Sequence, residues 1–139
     1  MISASVLGLL LGGCGEADPR PWRDLDRGER MDYMQSVVFP TMRDIFQAYD
    51  PQRYADFSCQ TCHGENASAV DFAMPNALFP LPRDGTIAAA MAHDADATAW
   101  MLDEVFPTMV ELLGAEKYNP ETAPDGYRCI GCHLEVPPG

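Results

Sequence analysis

The apolar positions of this chain fall into helical steps in two places. Met31, Met34, Val38, Met42, Ile45 and Tyr49 recur three and four residues apart, which puts them on one face of a helix. That helix should start near Asp24 or Asp26, where Asp26-x-x-Glu29 has the form of a capping box, and end at Asp50-Pro51. Pro40 falls inside the run. Proline has no N–H and its ring presses on the preceding turn, so a kink or a restart is expected there. The helical pattern returns at Thr86 and reaches Leu113, broken or not near His93-Asp94. Gly114 then suits the left-handed residue that closes a helix. Asn66 to Asp84 is too proline-rich for a helix interior and reads as a loop, as does Asn119 to Gly126. The pattern predicts a mostly α protein with long irregular loops.

The two helical stretches are copies of each other. Tyr33 to Met42 aligns with Trp100 to Met109 at an offset of 67, and Val-Phe-Pro-Thr-Met is identical in both. Each copy is followed by a Tyr-containing loop and a pentapeptide of one form, Cys59-Gln60-Thr61-Cys62-His63 and Cys129-Ile130-Gly131-Cys132-His133. From Met to first Cys is 17 residues in one copy (42 to 59) and 20 in the other (109 to 129). Such a repeat means one unit used twice: helix, loop, Cys-x-x-Cys-His. The units run over about 24–83 and 84–139, within one domain of 24–139. They are expected to pack about a pseudo-twofold axis, each covering the apolar side of the other.

Cys-x-x-Cys-His is the attachment pattern of a c-type haem. Two thiols three residues apart lie on one face of a helical turn, where they can form thioethers with the two vinyl groups of one porphyrin. The following histidine then lies under the iron. Two haems are expected, held by Cys59, Cys62, Cys129 and Cys132, with His63 and His133 on the irons, and the first site carried on a short helical turn capped by Asp56 or Ser58. Asn66 to Asp84 would then wrap a haem edge. Two Cys pairs also suit a zinc site, but the gap of 66 residues, from 63 to 129, far exceeds ribbon spacing. Zinc also leaves both histidines unexplained. A thioredoxin-like pair lacks its βαβ surroundings, and two structural disulfides again ignore the histidines.

The repeat also proposes the sixth iron ligands. Met42 and Met109 occupy equivalent places before each site, and a His/Met iron is a usual electron-transfer centre. Their plainer role is packing against a porphyrin. Met34 and Met101 are also repeated but stand eight residues earlier, about 12 Å up a helix. Met74-Pro75 resembles the axial Met of single-haem cytochromes c, with no counterpart after His133. His93 is the histidine outside both sites and reads as a surface residue. Over Met42 to His63 and Met109 to His133 the chain resembles the tetrahaem cytochrome subunit of photosynthetic reaction centres, where a helix bearing the axial Met precedes each Cys-x-x-Cys-His. The resemblance implies a fold of half that size and an electron-transfer role. It does not imply photosynthesis.

Composition narrows the partners. The chain has 139 residues, with 9 Lys+Arg against 21 Asp+Glu and a net charge of −12. Haem propionates would add to that charge, which argues against nucleic acid and favours a redox partner with a basic docking surface. The alternative reading is that the acid serves solubility alone. Few histidines remain for acid–base work, and neither a phosphate loop nor a Ser/His/Asp set is present, so the chain reads as an electron carrier rather than an enzyme. With so small a chain around two macrocycles, the haem-free form is expected to fold poorly. Two other classes stay open: a small-ligand sensor or peroxidase-like protein with one open iron, and a zinc-binding structural lipoprotein.

The N-terminal 13 residues are nearly uncharged, with the run Val6-Leu7-Gly8-Leu9-Leu10-Leu11, too short to span a bilayer as a helix. Leu11-Gly12-Gly13-Cys14 resembles the lipobox of bacterial lipoproteins. That resemblance implies a signal segment over 1–13, cleavage before Cys14 and acyl chains on its sulfur, enough for stable anchoring. A plain signal peptide with an incidental cysteine is the alternative. Gly15 after the lipidated position, rather than Asp, resembles an outer-membrane lipoprotein more than an inner-membrane one, so the place implied is the periplasmic side of the cell envelope. Residues 14–23, with Pro19 and Pro21, read as a tether.

Overall fold

The structure, a computed structural model, describes residues 20–136. The signal segment and Cys14 lie outside them. Six α-helices follow in order: α1 (Arg27–Tyr33), α2 (Phe39–Tyr49), α3 (Cys59–His63), α4 (Thr86–His93), α5 (Ala95–Trp100) and α6 (Phe106–Leu112). The protein is mostly helical, and among the described residues there is no β-strand. No helix among them is long and apolar enough to cross a membrane.

The expected helix starts and stops follow from capping chemistry. Asp26 accepts from the Glu29 N–H at 2.9 Å, and Glu29 returns to the Asp26 N–H at 2.8 Å, closing the capping box of α1. The long second pattern does break at His93-Asp94: Asp94 turns extended and its carboxylate caps α5 through the Ala97 N–H at 3.0 Å. Gly114 takes φ +55° after α6, as the closing residue should.

Pro40 does something the sequence pattern did not foresee. The helix widens into a single π-turn at Met34–Val38, which joins α1 to α2 without a break. Phe39 N–H reaches back five residues to the Met34 carbonyl. Met101–Val105 joins α5 to α6 in the same way, with Phe106 bonded to Met101. The wider turn relieves the clash between a proline ring and the carbonyl four residues back, and the missing N–H needs no partner. The next residue helps: Thr41 Oγ1 donates to the Val37 carbonyl at 2.8 Å, and Thr108 Oγ1 to that of Glu104 at 2.7 Å.

The core lies between these two helical stretches. Leu25, Tyr33, Val38, Met42 and Phe46 are buried at its centre, and Trp100, Met101, Val105, Met109 and Leu112 pack onto them. The contacts are reciprocal. Tyr33 and Trp100 are equivalent in the repeat. Tyr33 Oη donates to the Leu112 carbonyl at the end of α6, at 2.7 Å. Trp100 stacks on Tyr49 at 4.1 Å and meets the edge of Phe46 at 4.7 Å, at the end of α2. The described end of the segment read as a tether joins this core: Trp22 N–H bonds the Leu113 carbonyl at 3.0 Å, and its ring meets Tyr33. Tryptophan brings too much apolar area to leave in water.

The loop between α3 and α4 is ordered by long-range bonds. It opens with a 3-10 turn at Ala67–Val70. Leu81, buried, exchanges backbone bonds with the end of the described chain: its N–H donates to Leu134 at 2.8 Å and its carbonyl accepts from Val136 at 2.9 Å. Arg83 grips Glu135 through two bonds of 2.8 and 2.5 Å, and Arg27 grips Asp71.

Candidate functional site

The first Cys-x-x-Cys-His is α3 itself. Ser58, extended, opens it: the Ser58 carbonyl accepts from the Thr61 N–H at 3.0 Å while Thr61 Oγ1 accepts from the Ser58 N–H at 3.0 Å. Gly64 ends the helix with φ +79° and ψ 162°, a conformation open essentially to glycine, and a Cβ there would stand 2.7 Å from that of Ala77. The second site is a helical turn as well, wound more tightly at its start: the Cys132 and His133 N–H groups bond the Cys129 carbonyl at 3.1 and 2.9 Å. Cys129–Gly131 forms a 3-10 turn, with Cys132 and His133 beyond it. Gly131 stands where Thr61 caps the first site, and a Cβ on it would meet the Tyr127 ring at 3.1 Å.

Both histidines are held alike. His63 Nδ1 lies 3.1 Å from the Phe72 carbonyl, and His133 Nδ1 lies 2.8 Å from the Phe79 carbonyl. A carbonyl only accepts, so in both rings Nδ1 carries the hydrogen. Nε2 is then a neutral donor to a metal, with its orientation fixed from behind. Burial pushes the His63 pKa below the ordinary histidine value, against the smaller opposing effect of the Phe72 bond, which keeps the imidazole in the neutral form a ligand must have. Asn76 supports the first site by donating to the His63 carbonyl and to Asn66 Oδ1, both at 2.7 Å. One loop thus supplies both retaining carbonyls, although His133 is 54 residues from Phe79.

Cys62 and Cys132 lie within electrostatic reach of each other. Cys62 packs against the core cluster. Burial pushes its thiol up to about 12, and the charges of Cys132 and then Cys59 add to this. Cys132 is also pushed up by burial. Cys59 is exposed. Tyr127 stands beside this group, its Oη 2.8 Å from Cys132 Sγ, and burial holds its phenol well above the usual tyrosine range.

Met42 and Met109 face the same core from α2 and α6. Met42 is buried at 3% exposure, whereas Met109 is half-buried at the cluster's edge. Met34 and Met101 begin the two π-turns and also pack on the cluster. Met74 lies half-buried in the proline-rich loop. His93 is exposed, with its ring stacked on Phe79 at 3.9 Å.

An aromatic pair in each unit escaped the sequence reading. Phe39 meets Phe57 at 5.6 Å, and Phe106 stacks on Tyr127 at 5.8 Å. Phe39 and Phe106 are the aromatic of Val-Phe-Pro-Thr-Met, while Phe57 and Tyr127 each stand two residues before a first cysteine. The pair fastens helix to pentapeptide in both units. Its signal was an aromatic at the same offset from both cysteines.

Comparison with family models, curated proteins and solved structures gives no match to this chain.

Proposed function

We propose that the protein is an electron carrier with two covalently attached c-type haems on the periplasmic side of a bacterial envelope, anchored by lipid on Cys14. The observation that carries this reading is the shared state of His63 and His133, each directly after a Cys-x-x-Cys and each held through Nδ1 by a backbone carbonyl. The residues fit the group. Cys59 with Cys62, and Cys129 with Cys132, would hold one porphyrin each; His63 and His133 would bind the irons. The haems supply one-electron redox chemistry. The chain's own residues orient the imidazoles, shield the cysteine side of the rings and set the potentials. Met42 and Met109 are proposed as sixth ligands, since both stand two residues beyond the repeated proline and pack on a core that Cys62 also touches. The reciprocal contacts of Tyr33 and Trp100 support two units related by a pseudo-twofold axis, as exchanged contacts do in a symmetric pair.

The half-exposure of Met109 favours one second reading, in which the His133 iron is open and binds a small ligand. Carbon monoxide decides between them: a closed His/Met pair in the native reduced protein resists it. The test of the main reading is pairwise replacement in cells with a cytochrome c assembly system. Cys59→Ser with Cys62→Ser should leave one covalent haem by mass, and so should Cys129→Ser with Cys132→Ser. Full haem loading of either double variant contradicts the proposal.

A further inference from the structure

We propose that Tyr127 sets the two haems apart in potential, by donating a hydrogen bond to the sulfur that joins Cys132 to its porphyrin. This rests on the dihaem reading above. Tyr127 Oη lies 2.8 Å from Cys132 Sγ, and with a free thiol either atom can donate. Attachment removes the ambiguity. The S–H adds across a vinyl double bond: sulfur bonds one vinyl carbon, the hydrogen ends on the other, and no oxidant is needed. The thioether sulfur has no hydrogen left and can only accept. The Tyr127 O–H must therefore point its positive end at the porphyrin edge.

That dipole favours the extra electron of the reduced haem and raises its potential, since hydrogen bonds around a haem are among the levers that tune it. The tyrosine is fixed for the task. Its ring stacks on Phe106 at 5.8 Å with an interplanar angle of 16°, and lies so close to Gly131 that a Cβ would stand 3.1 Å from Cε2. In the first unit the same place is taken by Phe57, against Phe39 at 5.6 Å. It has the ring and lacks the hydroxyl. At this place the two aromatic pairs match and differ by one donor, which raises the potential of the His133 haem and directs an electron from the His63 haem towards it.

The experiment is a redox titration of the matured dihaem protein and its Tyr127→Phe variant. Phenylalanine keeps the ring, and Phe57 shows that this place in the unit accepts it. The higher midpoint should fall, so that at a fixed potential the oxidised-to-reduced ratio of that haem rises several-fold, where tenfold corresponds to about 59 mV for one electron. The lower midpoint should not move. If both midpoints of a fully loaded variant match the parent, or if the lower one shifts instead, the assignment of Tyr127 is overturned while the dihaem reading stands. A parent protein without two covalent haems overturns both.

Discussion

His63 and His133 are held by backbone carbonyls, so their orientation does not depend on any single neighbouring side chain. The methionines are different, because each is one side chain with two possible duties. Met42→Ala removes a buried core residue, which costs about 2–5 kcal/mol. If Met42 also binds iron, the variant loses the methionine-to-iron band in its oxidised spectrum and its potential falls, because Met ligation raises it. A destabilised protein with an unchanged spectrum and potential would reduce Met42 to packing. Met109→Ala should cost less stability, since Met109 is half-buried. Gly64→Ala tests the loop behind the first site. The positive φ and the nearby Ala77 Cβ predict a loss of about 1–3 kcal/mol in urea unfolding, and an unchanged midpoint would contradict that account.

At the scale of elements, Trp100 joins the end of α5 to α2 by packing on Phe46 and Tyr49. Trp100→Ala should cost about 3 kcal/mol in urea unfolding of the haem-loaded protein; a loss under about 0.5 kcal/mol, typical of a surface site, would mean that the interface lies elsewhere. Two helix ends were legible in the sequence because capping is local: Asp26 with Glu29, and Gly114, act within a few residues of themselves, whereas the pattern left the break at Asp94 open. The π-turns were not legible, since a proline in a helical pattern signals trouble without saying how the backbone relieves it. The Phe39–Phe57 and Phe106–Tyr127 pairs were hidden by unequal spacing: the helices repeat at an offset of 67 and the cysteines at 70. The close approach of Gly131 to the Tyr127 ring is a contact that no spacing rule encodes. The bond from His133 to Phe79 spans most of the second unit and leaves no local trace. The cysteines and histidines of the candidate site, by contrast, were legible from their order alone.

For the whole molecule, two properties matter together. The core of the described chain is thin, with no side chain wholly buried. A thin core leaves a chain marginally stable, and a ligand that binds only the folded state adds its binding energy. The haem-free chain should therefore unfold at much lower urea than the loaded protein. Equal midpoints would show that the chain needs no prosthetic group. The second property is the net charge of −12. Electron exchange with a basic small redox protein should slow as salt rises, and exchange with an acidic one should speed up. Rates indifferent to salt would assign the charge to solubility alone.

The central claim is that two haems are covalently bound to this chain. The most direct test is an absorption spectrum, oxidised and then reduced, of protein matured with a cytochrome c assembly system, with haem per chain quantified after denaturation. The account predicts two haems per chain that stay attached in denaturant, both low-spin. A chain that matures without covalent haem would contradict it, and metal analysis for zinc would then be the next step.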